Sequence, residues 1–311
     1  MIGFAGPENN LLIFGNGYSG RAIARLASAN GFQTTVTSRT PKGDNVIAFT
    51  SAEAEIAQST HIIATAAPDE DGDPVLARYA TAIAAAPKLR YIGYLSTTGV
   101  YGNRDGAWVD EDTPPAPQSP RAQRRVAAEE AWSVIARSKA TKLSIFDAGT
   151  PAQDGLLRCA RNDGGFTLDI FRLAGIYGPG RSMFDDLRAG NARRVVKPGH
   201  LFGRIHVEDI AHGLLAAMQR NAPPGVSIFN FTDDEPAASA DVVAEAARLL
   251  NIPPPPENPF ELAQQTMSPM ALSFWSENRR VSNAKTKSAL NLAWRYPTYR
   301  EGLAAILASE H

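Results

Sequence analysis

Short apolar runs alternate with longer amphipathic segments through the first two thirds of the chain. Leu11-Leu12-Ile13-Phe14 predicts a strand, and residues 21–30 predict a helix closed by Gly31. Residues 32–37 predict a second strand, and two more at 61–65 and 91–95 flank a helix over about 75–86. A long helix is predicted from about Arg121, with Ser119 placed to cap it and Pro120 at a helix-start position. Residues 168–173 and 227–231 predict two further strands. Strand–helix alternation with crossovers of this length predicts an α/β fold, a doubly wound parallel sheet covered on both faces. Beyond the proline run at 253–256 and Pro259 the pattern changes. Helical segments at 285–292 and 301–308 predict a smaller, mainly helical C-terminal region.

Composition narrows the function classes. A chain of 311 residues buries roughly three quarters of its extended surface, enough for one large domain or two. Lys+Arg 31 against Asp+Glu 32 leaves a net charge of −1, with no general pull toward nucleic acid or anionic lipid. The single cysteine, Cys159, cannot form an intramolecular disulfide, and no Cys/His spacing resembles a metal site. Residues 1–10 lack a basic leader pattern, and no apolar run approaches about 18 residues. The expectation is a soluble cytoplasmic protein with a small-molecule substrate and neither a nucleic-acid nor a membrane partner.

Gly15-Asn16-Gly17-Tyr18-Ser19-Gly20 fits G-x-G-x-x-G between a predicted strand and a predicted helix, the context that gives this motif meaning. Gly15 permits a tight turn, Gly17 lets backbone approach a pyrophosphate, and Gly20 allows close helix–strand packing. The helix N-terminus then offers free N–H groups and a partial positive charge to the phosphates. An acidic residue ending the second strand would favour NAD; residues 35–40 contain none and offer Ser38-Arg39 instead. A guanidinium fork suits a 2′-phosphate, so NADP(H) is preferred over NAD(H), with a solvated loop arginine as the alternative. Thr65, Ala66 and Ala67 are expected beneath the adenosine half.

Several segments, taken with the glycine loop, resemble the extended and atypical short-chain dehydrogenase/reductases, which include epimerase/dehydratase-like proteins. They are Leu95-Ser96-Thr97-Thr98-Gly99-Val100-Tyr101-Gly102, the run from Phe171 to Arg181, Arg204-Ile205-His206-Val207-Glu208-Asp209-Ile210-Ala211, the stretch from Asn230 to Pro236, and Arg280-Val281-Ser282-Asn283. The resemblance implies a Rossmann domain over 9–175 and 203–232, with a substrate-binding region over 176–202 and 233–311. It also implies an active-site hydroxyl at Thr97, with Ser96 as its fallback, and places Asp73 where the family carries an asparagine. Counting back from Glu129, the family's tyrosine and lysine positions fall on Arg121 and Arg125.

That replacement changes the chemistry. Arginine stays protonated up to a pKa above about 12, so Arg121 cannot pass a proton near neutral pH. Arg125 can still hydrogen-bond a nicotinamide ribose, and Arg121 can meet an anionic substrate. The expectations are an oxidoreductase or epimerase/dehydratase-like protein for a sugar nucleotide or small carbonyl compound, with a non-standard active site. A catalytically inactive NADP(H)-binding sensor or scaffold is the alternative. The resemblance further implies that a homodimer can form through the helices beginning near Val75 and Arg121.

Other features call for plainer readings. His206, Asp209 and His212 share a helix face but match a family segment, so no metal site is assigned. Asp233-Asp234-Glu235 reads as a solvated turn, and Arg193, Arg194 and Lys197 as a basic loop or cleft lining. Residues 136–165 exceed an ordinary helix–strand link, and 134–142 and 154–164 resemble the translated product of a bacterial interspersed palindromic repeat. An insertion in a surface loop is expected there, tolerated because loop-closure cost grows slowly with length.

Overall fold

The structure is a computed structural model that describes residues 9–146 and 165–310, with side chains described outside 138–164. Its central sheet has seven strands. They are β1 (Asn10–Phe14), β2 (Gln33–Ser38), β3 (Val46–Ala48), β4 (His61–Ala64), β5 (Tyr91–Thr97), β6 (Thr167–Leu173) and β7 (Gly225–Phe231). Their order is β7-β6-β5-β4-β1-β2-β3, and the pairings β1·β2, β1·β4, β2·β3 and β4·β5 are parallel. The order reverses between β1 and β4, the point at which doubly wound folds bind ligands beyond the strands' carboxyl ends. All four residues of β4 and all seven of β6 are buried, as strands covered on both faces are, with His61, Thr167, Asp169 and Arg172 the polar members. Strand β3 and the short helix α2 (Glu53–Gln58) were not foreseen. Three half-buried residues at a sheet edge leave no strong pattern.

The described residues fall into two compact units. The first draws on residues 9–95, 127–146, 165–170 and 217–228, and the second on 96–126, 171–216 and 229–310. In the first, α1 (Tyr18–Ala29) follows β1, and Asn30 and Gly31 end it, Gly31 at φ 86° as a helix-terminating glycine prefers. Helix α3 (Pro74–Ala85) and α4 (Pro120–Phe146) supply the core's large side chains, Tyr79 and Trp132, which join Phe14, Ile62, Tyr94 and Phe166. Ser119 Oγ accepts from the Ala122 N–H at 3.3 Å, the cap its position predicted. Helix α4 runs beyond residue 136, and Ala136 itself packs in the core at 5% exposure. Residues 147–164, which hold most of the proposed insertion together with Cys159, lie outside the described residues.

The second unit carries more strand than the sequence suggested. Gly175–Tyr177 pairs in parallel with Arg204–His206, Arg194–Val196 with Glu257–Pro259, and Trp108–Val109 with Arg280–Val281. Around them lie α5 (Met183–Arg188), α6 (Val207–Gln219), α7 (Ser239–Leu249) and α8 (Tyr299–Ala308). Phe184, Val242, Ala246, Tyr299, Leu303 and Ile306 form one of its cores. Strands of two or three residues are too short for alternation to register, which is why only the helices were legible.

Candidate functional site

Register brings the first group of candidate residues together. Phe14 pairs with Thr37 on one side and Ala64 on the other. The glycine loop, Ser38-Arg39 and Thr65-Ala66-Ala67 therefore leave three adjacent strands at one level. Thr65 Oγ1 donates to the Phe14 carbonyl at 3.0 Å, tying the loop after β4 to the end of β1. Gly15 has φ 120°, and a Cβ there would fall 2.3 Å from Thr65 Oγ1. A Cβ on Gly20 would fall 2.0 Å from the Gly15 carbonyl oxygen, so this glycine closes the turn. Gly17 differs: its φ of −82° suits any residue, and a Cβ would meet nothing within 4 Å. The space in front of Gly17 is open.

Helix α1 starts there with no side-chain cap and no acidic residue in its first turn. No side chain of the N-cap or first turn thus competes with an anion for the partial positive charge of the helix start. Arg21 Nη1 donates to the Asn16 carbonyl at 3.1 Å, placing a second cation near the loop; Tyr18 and Ser19 are the first residues of the helix. Arg39 is exposed, one residue beyond the end of β2, and Ser38 Oγ accepts from the Thr40 N–H at 3.2 Å.

Asp73 has a different job from the one the family alignment suggested. One carboxylate oxygen accepts from the Val75 and Leu76 N–H groups, capping α3, and the other accepts from Trp132 Nε1 at 3.2 Å. At 7% exposure, with both oxygens engaged, it acts as a structural cap.

The second unit holds the remaining candidates. Thr97 ends β5, partly exposed, and its Oγ1 accepts from the Gly99 N–H at 3.1 Å, capping a short 3-10 turn. Ser96 is 4% exposed, so Thr97 is the more accessible hydroxyl. Tyr101 is fully buried; its hydroxyl donates to Asn230 Oδ1 at 2.8 Å, the Arg172 guanidinium lies 4.8 Å from its ring, and burial raises its pKa. Arg121 and Arg125 occupy the first turns of α4. Arg121 is exposed, with its guanidinium 5.9 Å from the centre of the Phe274 ring, whereas Arg125 is 8% exposed.

The basic loop is engaged in structure. Lys197 Nζ donates to the Trp275 carbonyl and lies 4.2 Å over the Phe260 ring, Arg193 donates to Thr266 Oγ1, and Arg194 pairs with Glu257 at 3.1 Å. His206 and Asp209 hold backbone. His206 Nδ1 accepts from the Glu208 N–H, and Asp209 accepts from the N–H groups of Arg295 and Tyr296 at 2.7 and 3.0 Å. Among the described residues no cluster of His, Cys, Asp and Glu could hold a metal ion, and no helix is long and apolar enough to cross a membrane.

Asp233 corrects the reading of 233–235 as a solvated turn. Asp234 and Glu235 pair with Lys287 and Arg300 near the surface, but Asp233 is 2% exposed and its Oδ2 has no hydrogen-bond partner. Burial pushes its carboxyl from 3.8 up to about 8, against the pull of the Arg204 guanidinium. The folded state therefore holds this proton more tightly than the unfolded chain. The resulting stabilisation is complete below pH 3.8 and is lost as pH rises to about 8. Asp233→Asn should flatten the fall in stability between those limits by a few kcal/mol, since each unit corresponds to about 1.4 kcal/mol. Urea unfolding of both proteins across that range measures it, and parallel curves would refute it.

Strand order, reversal point and glycine loop together define a doubly wound α/β fold of the Rossmann type. No protein family model matches the chain. Among solved structures, a functionally unknown conserved protein from Silicibacter pomeroyi DSS is 41% identical, with a TM-score of 0.81 over 97% of this chain and 99% of that one. The chain belongs to one family with that protein. The human epimerase family protein SDR39U1 (isoform 2), solved with NADPH, shares the fold at 19% identity and TM-score 0.71, over 96% of this chain and 99% of that one. A curated Streptomyces protein, 3-diazoavenalumate denitrifying reductase, is 28% identical over 142 residues. That match spans 43% of this chain and 45% of the relative, about half its length.

Proposed function

We propose that this chain is an NADP(H)-dependent oxidoreductase or epimerase/dehydratase-like protein acting on a sugar nucleotide or small carbonyl compound. The observation that carries this reading is the open approach to Gly17 at the uncapped start of α1. The glycine loop and the first N–H groups of α1 would hold the pyrophosphate, Arg39 the 2′-phosphate, and Thr65-Ala66-Ala67 would lie beneath the adenosine. When bound, a nicotinamide dinucleotide donates or accepts a hydride. Thr97 Oγ1 already accepts from the Gly99 N–H, so its own proton is left to donate to a substrate oxygen. Arg121 would attract an anionic group on the substrate and Arg125 would bind the nicotinamide ribose. On this reading the chain orients and polarises its substrate with guanidinium groups, without the tyrosine–lysine pair of the family it resembles.

Cofactor fluorescence with purified protein tests the reading. NADPH should bind more tightly than NADH, and Arg39→Ala should weaken NADPH about tenfold or more, for the loss of a charge-assisted contact of ~1.5–3 kcal/mol. Equal affinities, or no effect of the substitution, would refute the NADP assignment. Guanidinium groups at both α4 positions also favour a second reading, an NADP(H)-binding sensor or scaffold without turnover. NADPH oxidation against a carbonyl panel that disappears in Thr97→Ala supports the enzyme; retained binding with no oxidation supports the sensor.

A further inference from the structure

The second unit contains a cavity of about 360 Å³ that the proposed reaction does not use. Its walls come from well-separated parts of the sequence. Tyr177 and Arg204 stand on the paired strands Gly175–Tyr177 and Arg204–His206, Val242 on α7, and Tyr299 and Leu303 on α8. Met183 completes the apolar lining, and Arg181, Asp185 and Asp186 stand at an exposed rim.

Arg204 gives the cavity its chemistry. A guanidinium has five N–H donors. Nη1 of Arg204 donates to the carbonyls of Phe202 and Ala237 at 2.9 and 3.1 Å, and its side chain makes no other hydrogen bond among the described residues. Nε and Nη2 remain on a cation that lines the cavity. Asp233 makes no ion pair with it, and although burial lowers the Arg204 pKa, a guanidinium is not deprotonated at neutral pH, so Arg204 keeps its charge. Tyr299, a buried residue whose hydroxyl makes no hydrogen bond among the described residues, belongs to the same lining.

We infer that this cavity binds a small monocarboxylic acid with an apolar body, its carboxylate on the free edge of Arg204 and its body against Val242, Leu303 and Met183. A single carboxylate matches the planar guanidinium, and the Tyr299 hydroxyl can donate to the same oxygens. The apolar walls favour a hydrocarbon body over a second polar group. At the mouth the two carboxylates of Asp185 and Asp186 outnumber the single cation of Arg181, and this net negative charge disfavours a second anionic group on the ligand, a dicarboxylate or inorganic phosphate. Asp185 is partly committed to the Ser182 N–H and hydroxyl, which leaves Asp186 as the freer rim charge.

The test uses the full chain with 3-phenylpropionate, succinate, inorganic phosphate and uncharged 3-phenylpropanol, read by saturation-transfer NMR and calorimetry. 3-Phenylpropionate is expected to bind, and the other three more weakly by about tenfold or more, corresponding to ~1.4 kcal/mol. Arg204→Met should abolish binding while circular dichroism shows a folded protein. Arg204 also holds two backbone carbonyls, so a rim variant provides a second readout. Asp186→Lys reverses an exposed charge and should admit succinate with about fivefold higher affinity, an electrostatic gain that falls with salt. No binding of 3-phenylpropionate up to about 10 mM, well past the ~4 kcal/mol expected of a weak site, overturns the proposal. So does binding that survives in folded Arg204→Met, or a succinate affinity that Asp186→Lys leaves unchanged. None of these readouts depends on NADPH, so the failure of this inference and that of the cofactor assignment are separable.

Discussion

Gly17→Val is expected to fold like the parent and to lose NADPH affinity by about a hundredfold or more, ~2.7 kcal/mol on the affinity scale. The glycine's backbone lies in a region open to every residue, at φ −82°, and its Cβ would enter empty space. Only a pyrophosphate against the backbone would make that space forbidden. The free protein should therefore tolerate valine, with an N-cap penalty of about 1 kcal/mol at most. Gly20→Ala provides the contrast, because its methyl meets the Gly15 carbonyl at 2.0 Å whether or not cofactor is present. It should cost on the order of 1–3 kcal/mol of stability through backbone displacement, and weaken NADPH binding by distorting the loop. Thermal melts and NADPH titrations of the two variants separate the cases. A Gly17→Val protein that binds NADPH normally would remove the observation on which the functional reading stands.

The second large effect lies in the core of the first unit. Asp169 on β6 has no exposed surface; Arg220 grips its two oxygens at 2.5 and 2.6 Å, and the Tyr91 hydroxyl donates to it at 2.9 Å. Asp169→Ala removes the shared carboxylate acceptor and takes the counter-charge away from a guanidinium only 17% exposed. A loss of ~3–5 kcal/mol is expected, because an uncompensated charge remains in a poorly solvated place. That is a large share of a domain's usual ~5–15 kcal/mol. Replacing both partners, Asp169→Leu with Arg220→Met, should recover much of the loss, since the desolvation cost disappears with the pair. Urea denaturation measures both. A single-variant loss below about 1 kcal/mol would show that water reaches the pair.

The fold was legible where local pattern and tertiary role coincide. Leu11 to Phe14 and Ile62-Ile63 are apolar without interruption because both faces of their sheet are covered, and the same fact makes them strands. The glycine loop was legible because its turn, its helix start and its open face lie within six residues, Gly15 to Gly20. Asp73 was misread because its sequence neighbourhood matches a loop where the family places a polar active-site residue. Its carboxylate is claimed by its own helix and by Trp132, 59 positions away.

The sequence by itself determined the class of fold, the glycine-rich turn from Gly15 to Gly20 and the arginine just beyond the second strand. Each is a local property of adjacent residues, and side-chain type and backbone freedom decide it before the chain is compact. Only the tertiary structure decided which polar groups are buried and which donors stay free. Asp169 meets Arg220 across 51 positions, Asp233 lies away from water inside an acidic run, and Arg204 faces a cavity built from separate segments. Burial and partner choice depend on which distant segments the fold brings alongside, and no periodicity within a segment encodes that.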